Sequence, residues 1–163
     1  NEYQGIDQKV KIKHISCNKS FEITPYLFLD YGTRCPYCTK HSKSRGEKRI
    51  TDFLISMKIN FKSQFTFPDC KNIHALPFDF AVLDSNNSIM FLIEYQGEQH
   101  FQPVCFGGIS VELAQNNYKE NQYRDNIKKK YCKEHNLILI EIPYWDFNNI
   151  EQILKGHLTN QVA

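Results

Sequence analysis

Pro77-Phe78-Asp79-Phe80-Ala81-Val82 and, further on, Phe91-Leu92-Ile93-Glu94-Tyr95-Gln96-Gly97-Glu98-Gln99-His100 decide how this chain is read. Each is an apolar, strand-like run carrying an acid, and the segment between them, Asp84-Ser85-Asn86-Asn87-Ser88, has the composition of a turn. The two runs form a hairpin that sets Asp79 and Glu94 on neighbouring strands. Burying unpaired carboxylates is costly, so two of them after apolar runs call for a shared counter-charge. A divalent cation, Mg2+ or Mn2+, held by a few carboxylates and left partly hydrated, suits such a pair, and the chemistry it serves is phosphodiester hydrolysis.

Outward from the hairpin the pattern stays regular. Upstream, Ile50, Phe53, Leu54 and Met57 recur at three and four and predict a helix opening at Gly46-Glu47. Phe61 to Phe67 alternates as a strand, which Pro68-Asp69 is expected to end. Downstream, Gly97 to Ser110 reads as a loop. Residues 111–135 read as a polar helix whose inward face is Tyr118, Tyr123, Ile127 and Tyr131. Leu137 to Ile142 is a buried strand closed by Pro143, and residues 148–158 form a last short helix. The succession is helix, three strands, helix, strand, helix: an α/β core with a mixed sheet flanked by helices.

The N-terminal part has a different logic. His14-x2-Cys17 is followed by Cys35-x2-Cys38, two knuckles whose four ligands match the tetrahedral preference of Zn2+. Lys9 to Ile15 alternates like a strand entering the first knuckle, and Phe21, Ile23, Tyr26, Phe28 and Leu29 supply a small apolar cap. So short a segment buries little, so the metal provides most of its folding free energy, on the order of 10 kcal/mol. With all four positions filled by protein, this zinc is structural. The boundaries drawn are 1–42 for the zinc-binding, β-rich unit and 43–163 for the α/β domain. Cys70, Cys105 and Cys132 are scattered and read as reduced, mostly buried thiols.

The 163 residues, 41% of them hydrophobic, fit one ordinary domain with a small appendage. A net charge of +2 does not by itself identify a polyanion partner, but the cations cluster. Lys40, Lys43, Arg45, Lys48 and Arg49 form one group and Arg124, Lys128, Lys129 and Lys130 another; both are candidate DNA-binding surfaces, with a solvated face as the plain alternative. No run is long enough to span a membrane, and none resembles a secretory leader, so an intracellular location is expected. The chain begins at Asn1 without Met, so further domains upstream are expected.

Over roughly residues 44–157 the succession and its motifs resemble the nuclease superfamily named for its Pro-Asp and Asp/Glu-x-Lys motif, with the restriction-endonuclease-like fold. The Gly97-x-x-His100 step after the Glu94 strand resembles the branch of very-short-patch repair and phage homing endonucleases, and the zinc unit resembles small zinc domains joined to such enzymes. The resemblance implies a Mg2+-dependent endodeoxyribonuclease from a bacterium or phage, of the homing or repair type, able to act as a homodimer. It implies that Glu47, on the first helix, reaches the metal site, and that Glu47, Asp79, His100 and Asp125 form a set. The backbone carbonyl of Tyr95 would be a third metal ligand beside Asp79 and Glu94. Where the superfamily carries Lys, this chain carries Gln96, which orients water or phosphate through its amide but bears no charge. The missing cation or proton shuttle would come from His100, Lys128 or Lys129.

Plain alternatives accompany each residue. Glu47 complements the helix dipole, Asp125 pairs with Lys128 and Lys129 along one helix face, and His100 bonds to loop backbone. At the level of the whole chain the competing readings are a zinc-containing DNA-binding module with a decayed nuclease core, and a metallohydrolase acting on a small molecule.

Overall fold

The structure of the protein, a computed structural model, describes residues 5–15, 17–29, 35–39, 44–105 and 110–159; the side chains at 38 and 39 also lie outside what is described. Two compact units are formed, one of Asn1–Lys43 with Cys105–Ser110 and one of Ser44–Val104 with Val111–Ala163. No helix among the described residues is long and apolar enough to cross a membrane.

In the first unit the alternating Lys9–Ile15 stretch becomes β1 (Val10–His14), which pairs antiparallel with β2 (Lys19–Ile23) from Val10↔Ile23 to His14↔Lys19. The turn between them passes through Asn18 at φ 56°, a left-handed conformation that Asn tolerates better than most residues. Two short helices follow, α1 (Pro25–Leu29) and α2 (Pro36–Thr39). The small core is Phe21, Ile23 and Cys35, with Ile12, Cys17, Leu27 and Phe28 packed on it. Tyr26 and Leu29 do not join this cap: both are exposed, Leu29 to 71%. A five-residue helix buries one narrow face, and Leu27 and Phe28 occupy it.

The second unit is a four-stranded sheet between helices. Its first helix, α3 (Arg45–Ser56), begins with a capping box in which Ser44 Oγ accepts from the Glu47 N–H while Glu47 accepts from the Ser44 N–H. The strands are β3 (Asn60–Lys71), β4 (Ala75–Leu83), β5 (Ile89–Gln96) and β6 (Leu139–Pro143), in the order β3-β4-β5-β6. The first three are antiparallel neighbours, whereas β5 and β6 run parallel, from Leu92↔Leu139 to Gln96↔Pro143. A parallel pair needs a crossover, and α4 (Val111–Glu134) supplies it. A 3-10 turn (Tyr144–Asn149) then leads into α5 (Ile150–Thr159).

One sheet face carries Phe80, Val82, Phe91, Ile93, Ile140 and Ile142 onto Ile50, Phe53 and Leu54 of α3 and Ile150 and Leu154 of α5. The other carries Ala81, Leu83, Leu92 and Leu139 onto Ile127, Tyr131 and Cys132 of α4. Burial on both faces is why β4 and β5 read as nearly continuous apolar runs. The Asp84 turn is held by Asp84 Oδ1, which accepts from the Asn86 and Ser88 N–H groups at 2.8 Å each.

Three expectations change. Pro68-Asp69 does not end β3, because β3 is the sheet's edge, where a residue without an N–H is tolerated, and the register is irregular between Thr66 and Lys71. On α4, Tyr123 is 56% exposed, whereas Ile127 and Tyr131 pack on the sheet beside the buried Cys132; only the later turns of the helix lay their apolar residues on this core. Of the three scattered thiols, Cys70 and Cys132 are buried but Cys105 is exposed.

Candidate functional site

Asp79 lies one residue before the Phe80↔Ile93 pair, so it stands across from Glu94, and residues opposite each other on antiparallel strands point to one face. That face is the one under α4. Asp79 Oδ2 accepts the backbone N–H of Tyr95 at 2.8 Å, and Gln64 Nε2 reaches Asp79 Oδ1 at 3.4 Å. Gln64 is itself held at φ 52° within β3, a left-handed backbone in the edge strand beside the acid. The side chain of Tyr95 goes to the opposite face, where Gly46 makes room for it: a Cβ at Gly46 would lie 2.3 Å from the ring.

Glu94 is only 7% exposed. Its Oε1 accepts from Lys128 Nζ at 2.7 Å, and Lys128 is similarly enclosed. Desolvation pushes the Glu94 carboxyl up to about 7, against the pull of Lys128 and with the charges of Asp79 and Asp125 adding to the rise. Burial likewise raises Asp79, with Glu47 adding to it. Glu47, Asp79, Glu94 and Asp125 are therefore within electrostatic reach along one chain of neighbours. Glu47 has a second engagement, since its Oε1 closes the α3 capping box. Among the described residues no three of these acids bring their oxygens within 4.8 Å of one another.

His100 sits in a 3-10 turn (Glu98–His100) within the expected loop, and its Nδ1 is 2.7 Å from Asp125 Oδ2. An ionised carboxylate only accepts, so Nδ1 carries the proton and Nε2 is the ring atom left for chemistry. Asp125, Lys128 and Cys132 recur on α4 at three and four, which is how one helix faces His100, Glu94 and the core in turn.

Gln96 donates through Nε2 to Glu141 Oε1, the same oxygen that meets Lys129 Nζ at 3.0 Å. Glu141 pairs in register with Glu94 and shares its face. The motif reading passed over Glu141, although a lone acid inside Leu137 to Ile142 was the available signal. It also passed over the rings of Phe101, Tyr144 and Trp145, which cluster with Phe101 and Trp145 centroids 4.3 Å apart and Trp145 57% exposed.

The basic residues are placed variously. Lys40 and Lys43 lie outside the described residues. Arg49 is committed to Glu151 through Nε at 2.6 Å and Nη2 at 2.9 Å, a bridge between α3 and α5. Arg45 lies over the Phe147 ring at 5.4 Å. Lys48, Arg124 and Lys130 form exposed pairs with Asp52, Glu120 and Glu134.

In the first unit, β1 delivers His14 at its last position, the turn delivers Cys17, and Cys35 immediately precedes α2. His14 Nδ1 is 3.2 Å from Cys17 Sγ, Cys17 Sγ is 3.6 Å from Cys35 Sγ, and all three ligand atoms lie within 4.8 Å. Ligands of one tetrahedral zinc, at roughly 2.0–2.3 Å from the ion, stand about 3.5–3.8 Å from each other. The three residues can therefore hold a metal ion. No disulfide joins Cys17, Cys35, Cys70, Cys105 or Cys132, and the Cys38 side chain lies outside the described residues.

Comparison with known proteins finds relatives in iridescent viruses of invertebrates. The chain is 36% identical over 144 residues to "Uncharacterized protein 307L" of invertebrate iridescent virus 6, covering 79% of this chain and 71% of that protein. It is 39% identical over 76 residues to "Uncharacterized protein 033L" of invertebrate iridescent virus 3, covering 46% of this chain and 37% of that protein. No family model and no solved structure matches.

Proposed function

The chain belongs to the family of the 307L protein of invertebrate iridescent virus 6, and on the geometry of its strand-edge site we propose that it is a metal-dependent DNA endonuclease. The observation that carries this reading is the desolvated pair Asp79 and Glu94, brought to one sheet face and answered there by Lys128. Two acids raised chiefly by burial, with the charge of Asp79 adding to the rise at Glu94 and that of Glu47 to the rise at Asp79, fit a hard divalent cation, whose binding would offset that repulsion. The order α3-β3-β4-β5-α4-β6 fits a restriction-endonuclease-like core.

When bound, Mg2+ or Mn2+ supplies an activated water and neutralises charge on the scissile phosphate. Asp79 and Glu94 would hold it, with the Tyr95 carbonyl as a further oxygen. The Tyr95 N–H fixes the Asp79 carboxylate in place. Lys128 brings to Glu94 the ammonium that the 96 position lacks. His100, oriented by Asp125, presents Nε2 to take or return a proton. The exposed rings of Phe101, Tyr144 and Trp145 favour nucleic acid over a small metabolite, because bases stack on such surfaces. In the first unit His14, Cys17 and Cys35, with Cys38 as fourth ligand, would hold a structural Zn2+.

Incubation of supercoiled, linear, nicked, mismatched and branched DNA with the protein and Mg2+ or Mn2+ tests the reading. Cleavage is expected, to be stopped by chelator and reduced by at least about 10³-fold in Asp79→Ala and in Glu94→Ala, as for loss of a principal charge-stabilising group. Near-normal turnover in either variant would remove the site. A second reading is favoured by Gln96 and by the Lys128 contact that already occupies Glu94: a zinc-containing DNA-binding module with a decayed core. It predicts DNA mobility shifts without nicking under every metal condition.

A further inference from the structure

The Gln96 amide is the least expected part of the strand-edge site, and its surroundings decide which way round it lies. Glu141 Oε1 is met by two groups, Lys129 Nζ at 3.0 Å and the Gln96 side chain. An ammonium only donates, so the oxygen it meets is accepting; a second group on that oxygen must be a donor as well. For an amide that donor is Nε2. The usual ambiguity between amide oxygen and nitrogen is thereby removed by the lysine. A flipped amide would set its carbonyl against a carboxylate oxygen and leave a buried repulsion, for Gln96 is only 8% exposed.

With Nε2 committed to Glu141, the carbonyl oxygen is the atom Gln96 has left for the rest of the site. No donor among the described residues meets it, and no described side-chain polar atom is both buried and unpartnered, so this oxygen keeps contact with solvent. Gln96 lies on the same face as Glu94, two residues along β5, and Glu141 lies beside Glu94 in the parallel register.

We propose that Glu141 and Lys129 are positioning residues that lock the Gln96 amide with its carbonyl outward, so that Gln96 orients the attacking water by accepting a hydrogen bond from it. This inference rests on the endonuclease reading. It divides what one lysine does elsewhere between two residues: Lys128 carries the charge on Glu94, and Gln96 carries the acceptor. A donor at position 96 would have the wrong polarity here, so the position calls for an acceptor and not for a cation.

The test is an exchange of partners. Glu141→Gln removes the charge that holds the half-exposed Lys129 ammonium, and an amide without that lysine can turn either its oxygen or its NH2 to Gln96, so the lock is released; kcat should fall roughly tenfold with KM for DNA little changed. Gln96→Glu alone sets two carboxylates together and should fall further. The double variant Gln96→Glu with Glu141→Gln restores one donor facing one acceptor and leaves a carboxylate oxygen outward, so it should recover to within a few-fold of the parent. Gln96→Lys, with no acceptor, should be as poor as Gln96→Ala. Failure of the double variant to exceed both singles, or near-parent activity in Gln96→Lys, would overturn the proposal. A readout independent of cleavage separates it from the reading on which it rests. In amide-resolved NMR the Gln96 side-chain NH2 pair should be shifted and slowly exchanging in the parent protein, and should collapse to solvent-like values in Glu141→Ala and weaken in Lys129→Met. An unprotected Gln96 NH2 in the parent would overturn the lock even if DNA is cut. A protected NH2 in a protein that cuts no DNA would leave the lock standing and remove the water-orienting role with the endonuclease reading.

Discussion

Glu94 shows how one residue couples burial, charge and stability. Its folded pKa, about 7, lies above the ordinary 4.5 because desolvation outweighs Lys128. Folding therefore binds a proton over that interval. The metal-free protein is free of the penalty below about pH 4.5 and loses stability as pH rises through about 7, by on the order of 3 kcal/mol in total. Thermal melts of chelator-treated protein should fall across that window. In Glu94→Gln the slope should be much flatter, since the Glu94 carboxyl no longer titrates and only the raised Asp79 remains at the site, although Lys128 is then left without its partner. Equal slopes in both proteins would mean that Glu94 is not the group responsible. Added Mg2+ should restore most of the loss at pH 7.5, because a cation stabilises the ionised form. Nothing in the residue types near Glu94 disclosed this: the raised value comes from α4 being laid over the acid, and Lys128 stands 34 positions away.

At the scale of elements, the contact between α3 and β5 is the tightest point beside the site. Gly46 is buried in the first turn of α3, and a methyl there would stand 2.3 Å from the Tyr95 ring. Gly46→Ala should therefore destabilise the second unit by about 1–3 kcal/mol despite the better helix propensity of Ala. It should also lower any cleavage, since the Tyr95 backbone N–H holds Asp79. Denaturant unfolding of Gly46→Ala and of the double variant Gly46→Ala with Tyr95→Leu checks it; recovery in the double variant identifies the ring as the obstacle. Helices and strands here were legible in the sequence where period and burial agree, as in α3 and β5. They were misjudged where position in the sheet overrules local chemistry, as at Pro68 on the edge strand, and on α4, where Tyr123 is exposed while Ala114 and Cys132 are buried.

The two units differ in how each holds itself together. The first has three buried core residues among those described and a three-ligand cluster; the second has two cores, one on each face of its sheet. Removing metal should therefore melt the first and spare the second. Chelation, or Cys35→Ser, should erase NMR dispersion for residues 10–29 while amides of β4 and β5 keep theirs, and elemental analysis of the intact protein should find one zinc per chain. Simultaneous collapse of both units would show that they fold as one, and an intact first unit without metal would remove the zinc assignment.

Spacing along the chain determined the His14–Cys17 step and the acid-bearing hairpin, because both are short-range: two residues between the His and the Cys, and a five-residue turn between strands. The Glu94–Lys128 pair, the His100–Asp125 pair and the Gln96–Glu141–Lys129 chain were decided only by tertiary structure. The links Glu94–Lys128, His100–Asp125 and Gln96–Glu141 join groups 25 to 45 positions apart across the parallel crossover. Which side chain of a polar helix meets which acid depends on how that helix is rotated over the sheet, and its rotation is set by the packing of Ile127, Tyr131 and Cys132 beneath it, not by the polar residues themselves.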